Sequence, residues 1–283
     1  MRIGIFAKTF RRDSLAGVLD VVRAHGFASV QFNMACAGMA SMPERADAGV
    51  AAAVKREADA RGIRLEAVSG TFNMAHPDPA VRAEGLRRLA HLAAMCGEMG
   101  VGIVTIGSGS RNPDDMWAPH PDNGGAEAWR DLLACMERAL AVAERRGVVL
   151  ALEPEAANVA NDARAARRVL DAMGSPLLRI VFDAANLVIG RARASWAGVL
   201  EEAAELLGRD IVLAHAKDVR AMDARGEGEG GGSPFAAVGR GDLDFAGYFR
   251  LLRSAGFDGP VVMHGLEEQD AAAGLAHLQR ALS

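Results

Sequence analysis

One punctuation mark recurs along this chain. A stretch with helical periodicity ends in glycine, and a short apolar run follows at once. The instances are His25-Gly26-Phe27, Arg61-Gly62-Ile63, Met99-Gly100-Val101, Arg146-Gly147-Val148, Met173-Gly174, Leu207-Gly208 and Ala255-Gly256-Phe257. A glycine just past a helix can take the left-handed conformation that closes the last turn, which costs other residues about 1 kcal/mol or more. The stretches before these glycines carry helical stripes, such as Trp129, Leu132, Leu133, Met136 and Leu140. The runs after them are apolar on both faces, as in Val101-Gly102-Ile103-Val104-Thr105-Ile106 and Val148-Val149-Leu150-Ala151-Leu152. Such runs suit parallel strands buried between two layers.

With the run at the N-terminus, eight strands are predicted, near residues 2–7, 28–33, 63–69, 101–107, 148–153, 178–183, 210–215 and 259–264. Helices fill the gaps, the last near 268–282. Eight units in 283 residues is about 35 residues each, which fits one (β/α)8 TIM barrel, an α/β domain spanning residues 1–283. A doubly wound open sheet is disfavoured by the count and by the lack of a GxGxxG after the first strand. Two stretches interrupt the rhythm. Arg225-Gly226-Glu227-Gly228-Glu229-Gly230-Gly231-Gly232-Ser233 is rich in glycine and charge, and predicts a flexible loop over about 219–241. A long loop after strand four, near 107–123, holds Arg111, Trp117 and His120.

Composition narrows the function classes. A hydrophobic fraction of 50% supports a full core, and a net charge of −4 does not favour nucleic acid as a partner. No apolar run approaches the roughly 18 to 20 residues that cross a bilayer. The chain opens directly on an apolar strand, Ile3-Gly4-Ile5-Phe6, with no signal-peptide pattern before it. Cys36, Cys96 and Cys135 make an odd set without a CxxC pair, read as buried small apolar residues in a reduced compartment. The expectation is a cytoplasmic protein that binds neither membrane nor nucleic acid.

In a barrel of this kind the chemistry sits at the C-terminal ends of the strands. The residues that close the apolar runs are Lys8, Asn33, Ser69-Gly70 and Gly107-Ser108 in the first half, then Glu153, Asp183, His215 and His264. The second half is polarised toward metal ligands. Glu153, Asp183 and His215 are spaced by 30 and 32 residues, close to one unit, so they occupy one position on successive strands. A strand-end carboxylate alone is often a helix cap, and a lone histidine is often structural. Three ligand types at equivalent positions are harder to obtain by chance and predict a divalent metal site. Mixed carboxylate and imidazole donors suit Mn²⁺, Co²⁺, Fe²⁺ or Zn²⁺ over Ca²⁺.

Leu150-Ala151-Leu152-Glu153-Pro154, Ile180-Val181-Phe182-Asp183 and His215-Ala216-Lys217-Asp218 resemble the xylose isomerase-like TIM barrel superfamily. More narrowly they resemble its sugar phosphate isomerase/epimerase-type members, the AP endonuclease family 2-like barrels. Gly239-Arg240-Gly241-Asp242-Leu243-Asp244-Phe245 and Gly256-Phe257-Asp258-Gly259-Pro260 match as well. The resemblance covers essentially the whole chain. It implies one divalent ion, Mn²⁺ first and Co²⁺, Mg²⁺, Fe²⁺ or Zn²⁺ as alternatives, held by Glu, Asp, His and Glu from strands five to eight. Glu153, Asp183 and His215 match the first three. The fourth position is His264, with Glu267 and Glu268 just beyond. Either His264 ligates the metal or Glu267 reaches back to it, and Glu155, two residues after Glu153, is a second candidate for the carboxylate role.

The resemblance also implies metal-assisted proton transfer on a small polyhydroxylated carbohydrate or keto-sugar, with Glu153 on one face of the carbon and His264 or Glu267 on the other. Isomerase, epimerase and eliminase chemistry all fit. An endonuclease IV-like phosphodiesterase and a non-catalytic sugar-binding barrel are the remaining readings. Lys8, Asn33, Asn73, His76, Arg111, Trp117, His120, Glu155, Asn186, Lys217 and Arg240 are candidate substrate contacts. Barrels of this family often pair, so a homo-oligomer is a further expectation.

Overall fold

The structure is a computed structural model that describes residues 1–221 and 234–283. Eight parallel strands close into a barrel: β1 (Arg2–Phe6), β2 (Ser29–Phe32), β3 (Arg64–Ser69), β4 (Ile103–Gly107), β5 (Val149–Glu153), β6 (Leu178–Asp183), β7 (Ile211–Ala216) and β10 (Pro260–Met263). Two short strands, β8 (Asp218–Val219) and β9 (Phe235–Ala236), stand outside the ring. Each barrel strand lies within a residue or two of its predicted place. β1 pairs with both β2 and β10, which closes the ring. The flanking helices are α1 (Leu15–Ala24), α2 (Ala48–Ala60), α3 (Pro79–Met99), α4 (Ala126–Arg146), α5 (Ala163–Met173), α6 (Ala184–Val188), α7 (Trp196–Leu207), α8 (Phe245–Ser254) and α9 (Ala271–Leu282).

Local chemistry sets the helix ends. Ser14, Asp47, Asp78, Asp162 and Asp244 each accept a backbone N–H from the first turn of α1, α2, α3, α5 and α8. At the other ends, six of the seven punctuating glycines have φ between +57° and +87°. Gly208 departs from the rule, with a φ of −51°. There α7 runs on into a 3-10 turn (Gly208–Asp210), and glycine is needed for space, since a Cβ would meet Ala255 Cβ at 2.8 Å.

Two stacked layers inside the barrel explain where the chemistry sits. Ala67, Ala151, Val181, Leu213 and Val262, with Ile103 beside them, form an apolar floor. Side chains alternate along a strand, so the next inward position is two residues on. Those positions are Ser69, Thr105, Glu153, Asp183, His215 and His264. The polar layer is thus the apolar floor advanced by one pleat toward the mouth.

The Gly-rich stretch predicted as a flexible loop falls largely on residues 222–233, outside the described residues. On either side of it, β8 pairs antiparallel with β9. Asp218 anchors the turn beyond β9. Its buried carboxylate accepts the backbone N–H groups of Gly239, Gly241 and Leu243 at 2.9, 2.9 and 3.2 Å. A Cβ on Gly241 would collide with that carboxylate. The Gly239-Arg240-Gly241 run therefore wraps an acidic side chain and is a device of architecture. The three cysteines are buried and unpaired, and burial pushes their thiols up to about 11 or 12. No helix among the described residues is long and apolar enough to cross a membrane.

Candidate metal centre

Glu153 is the last residue of β5 and Asp183 the last of β6. His215 pairs with Asp183 across β6 and β7, and His264 follows β10 directly. Each of the four offers one donor atom, and these atoms lie within 4.8 Å of one another. His215 Nδ1 lies 3.1 Å from Glu153 Oε1 and 3.8 Å from Asp183 Oδ2. His264 Nε2 lies 3.2 Å from Asp183 Oδ2. The two imidazoles meet edge to face, with centroids 4.3 Å apart.

The surroundings set the charges. Asp183 is fully buried, and burial alone would raise its carboxyl. Lys217, His264 and His215 outweigh that and hold it below the usual carboxylate range. Its Oδ1 accepts the backbone N–H groups of Ala185 and Asn186 at 2.8 and 3.2 Å, capping α6. This cap leaves Oδ2 facing the histidines. Burial, then the charge of Asp183, pushes Glu153 up to about 7. Burial, then Glu153, pushes Glu155 up to about 9. Burial pushes His215 down to about 4, and burial with His215 beside it lowers His264. Both imidazoles are therefore neutral donors near neutral pH.

Two oxygens and two nitrogens, converging above an apolar floor with one carboxylate held ionised, fit a divalent cation of the Mn²⁺, Fe²⁺, Co²⁺ or Zn²⁺ class. Like-charged carboxylates are buried together here, which a bound cation would offset.

A cavity of about 660 Å³ opens above the cluster, within the range of small-molecule sites. Its lining includes Lys8, Asn33, Trp117, Glu155, Asn186 and Lys217. Asn186 Nδ2 donates to Glu153 Oε1 at 2.8 Å, and Lys217 Nζ donates to Asn186 Oδ1 at 2.6 Å. One amide thus ties a carboxylate to an ammonium. Lys217 also stands 3.7 Å over the Phe235 ring. Trp117 is 53% exposed at the rim.

Other predicted contacts lie elsewhere. Asn73 bonds the backbone of Ser110, Asn112 and Ala75. His76 lies 3.1 Å from the Pro113 carbonyl and accepts from Asp78 N–H. Arg111 is buried against Asp131 at 2.8 Å. His120 accepts from the backbone of Asp122. These four lace the loops after β3 and β4 and do not line the cavity. Arg240 pairs with Asp270 at 2.8 Å. Glu267 is exposed, outside the four-residue cluster. It lines a neighbouring cleft with Lys8, Arg11 and Arg12, and that cleft meets the cavity at Phe6, Lys8 and His264.

Three residues absent from the predicted contacts complete the polar layer. Gln31 Oε1 lies 2.8 Å from His215 Nε2, and Gln31 Nε2 donates to Ser69 Oγ at 3.0 Å and Thr105 Oγ1 at 3.3 Å. Gln31 was legible only as an inward-facing polar residue two before Asn33.

Residues 19–281 match the family of xylose isomerase-like TIM barrels. Among solved structures, the chain is similar to 3-keto-D-glucoside 4-epimerase from E. coli, with 18% identity, 99% of each chain covered and a TM-score of 0.71. It is similar to D-psicose 3-epimerase from Clostridium cellulolyticum H10, with 16% identity, 100% of each chain covered and a TM-score of 0.72. The IOLI protein with a bound zinc atom is 14% identical over 99% of this chain and 96% of that one, at a TM-score of 0.71. The chain spans 42% of a fusion of a xylose isomerase-like TIM barrel with 4-hydroxyphenylpyruvate dioxygenase. At these identities the likeness is one of fold. No curated protein matches the chain by sequence.

Proposed function

The chain belongs to the xylose isomerase-like TIM barrel family, and from that premise we propose that it is a divalent-metal-dependent isomerase or epimerase of a small sugar or sugar derivative. The observation that carries the reading is the convergence of Glu153, Asp183, His215 and His264 at the barrel mouth. Sugar epimerases among the structural relatives support it, and the zinc-bound relative supports a metal of this class.

A divalent ion held by these four residues would polarise the carbonyl and adjacent hydroxyl of a keto-sugar and make the neighbouring C–H acidic. Glu153, titrating near 7, is suited to take that proton and return it. Asn186 fixes the orientation of Glu153, and through Asn186 the Lys217 ammonium lends it positive charge. Asp183 stays ionised and acts as a fixed ligand. Asn33, Lys8 and Glu155 offer hydrogen bonds to hydroxyls, and Trp117 offers a flat face for a ring.

One observation favours elimination from a keto-sugar or keto-glycoside as a second reading. Glu153, Glu155 and Asp183 all come from the β5 and β6 ends, while the β10 side presents His264. A carbon held between them meets carboxylates on one face only, and elimination needs no proton returned on the opposite face.

Ketoses, keto-glycosides and inososes incubated with the Mn²⁺-loaded protein in D₂O and followed by NMR test both readings. Deuterium at the carbon beside the carbonyl with a rearranged product supports isomerisation or epimerisation. Release of a leaving group supports elimination. Absence of exchange and product across all three classes contradicts the proposal.

A further inference from the structure

Three of the seven residues of the polar layer are not candidate ligands. Gln31, Ser69 and Thr105 come from β2, β3 and β4 and are buried. The amide nitrogen of Gln31 faces the Ser69 and Thr105 hydroxyls, so its carbonyl oxygen is turned to His215 Nε2 at 2.8 Å. A carbonyl oxygen only accepts, so this orientation of the amide calls for the ring proton on Nε2. Nδ1 is then a bare lone pair, facing Glu153 Oε1 at 3.1 Å and Asp183 Oδ2 at 3.8 Å.

We propose that Gln31, locked by Ser69 and Thr105, is a positioning residue that selects the Nε2–H tautomer of His215 and so presents Nδ1 as the metal donor. The inference rests on the metal reading above. Its physical reason is competition between tautomers. Left to itself, a neutral imidazole beside Glu153 would donate from Nδ1 to that carboxylate, and the proton would occupy the ligand position. Gln31 offers Nε2 a fixed acceptor and opposes that choice, the role an outer partner plays for a metal-bound histidine. A neutral amide does this without adding a third negative charge beside two buried carboxylates.

Imidazole ¹⁵N NMR on the metal-free protein reads the tautomer directly, and Mn²⁺ titration calorimetry reads its consequence. The wild-type chain is expected to show His215 protonated at Nε2. Gln31→Met, similar in size but without the acceptor, is expected to shift the ring toward Nδ1–H and to weaken Mn²⁺ binding about 10- to 100-fold. Gln31→Glu, which keeps an acceptor in place, is expected to restore the Nε2–H form. An Nδ1–H tautomer in the wild type overturns the proposal, as does a folded Gln31→Met protein with unchanged tautomer and affinity. If Gln31→Met does not fold, Thr105→Val leaves Gln31 in place and removes one anchor. A mixed tautomer and weaker Mn²⁺ binding are then expected, and wild-type values for both overturn the proposal. A wild-type chain that binds no Mn²⁺ but shows Nε2–H contradicts the metal reading and leaves the tautomer assignment standing, so the two failures are distinct.

Discussion

His264 Nε2 lies 3.2 Å from Asp183 Oδ2, on the side of the barrel mouth across from Glu153. Strand eight of the barrel thereby supplies an imidazole where the resemblance drawn from the sequence implies a carboxylate. A neutral donor there lowers the negative charge of the cluster by one and leaves the β10 side without a carboxylate base. If His264 is a ligand, His264→Ala lowers Mn²⁺ affinity by about tenfold or more, read by titration calorimetry. His264→Glu retains binding. Unchanged affinity in the alanine variant places the fourth donor elsewhere.

Glu153→Gln removes the carboxylate that Asn186 orients, while an amide can still meet Asn186. Solvent deuterium uptake into a true substrate is expected to fall by about 10²- to 10⁴-fold. Exchange at the wild-type rate would remove Glu153 as the base and leave Glu155 as the nearest alternative.

The pH dependence has two opposing arms. His215 is held down to about 4, against 6.5 for a free imidazole. The unfolded chain protonates first, so the stability this group contributes is present above 6.5 and is lost as the pH falls toward 4. Glu153 and Glu155, raised from 4.5 to about 7 and about 9, act in reverse. The folded state holds protons that the unfolded state has released, so this contribution is present below 4.5 and is lost as the pH rises through 7 and 9. Between 4.5 and 6.5 the two carboxyls outweigh the one histidine, so these groups make the metal-free protein most stable near about pH 4 to 4.5, with stability falling steadily as the pH rises from there through 7 and 9. A metal needs Glu153 ionised, so Mn²⁺ binding tightens as the pH rises through 7. Melting curves with and without Mn²⁺ check this: their Tm gap widens from about pH 6 to about pH 8.

Arg111 tests the boundary between site and scaffold. Its guanidinium is buried against Asp131, which also meets Arg82 at 3.1 Å. Arg111→Ala leaves Asp131 with Arg82 and, at 3.6 Å, Arg130, and is expected to cost about 1 to 3 kcal/mol of stability in denaturant melts. Mn²⁺ affinity should stay at the wild-type value. A stable variant with weakened substrate binding would return Arg111 to the site.

The four cluster residues were legible because each closes an apolar run, and the spacing of the runs counts the strands. The barrel was legible for the same reason, through glycines that end helices. Gly208 shows the limit of that signal, since a glycine required for close packing on Ala255 looks the same in sequence as one required for a positive φ. Gln31 was hidden because it stands 184 positions from His215, and only closure of the ring brings β2 across from β7. Asn73, His76, Arg111 and His120 carry the right groups in the right loops, yet the structure directs Asn73, His76 and His120 to the backbone of those loops and Arg111 to Asp131 of α4. Residue type and loop position do not distinguish a group that binds a ligand from one that laces its own turn.

Glu153, Asp183, His215 and His264 together are expected to form one divalent metal site. Equilibrium dialysis of the purified, chelator-treated chain against Mn²⁺ tests it most directly. One ion is expected to bind per chain and to be lost in Asp183→Ala. No bound ion at saturating Mn²⁺, or two or three ions per chain, would contradict it.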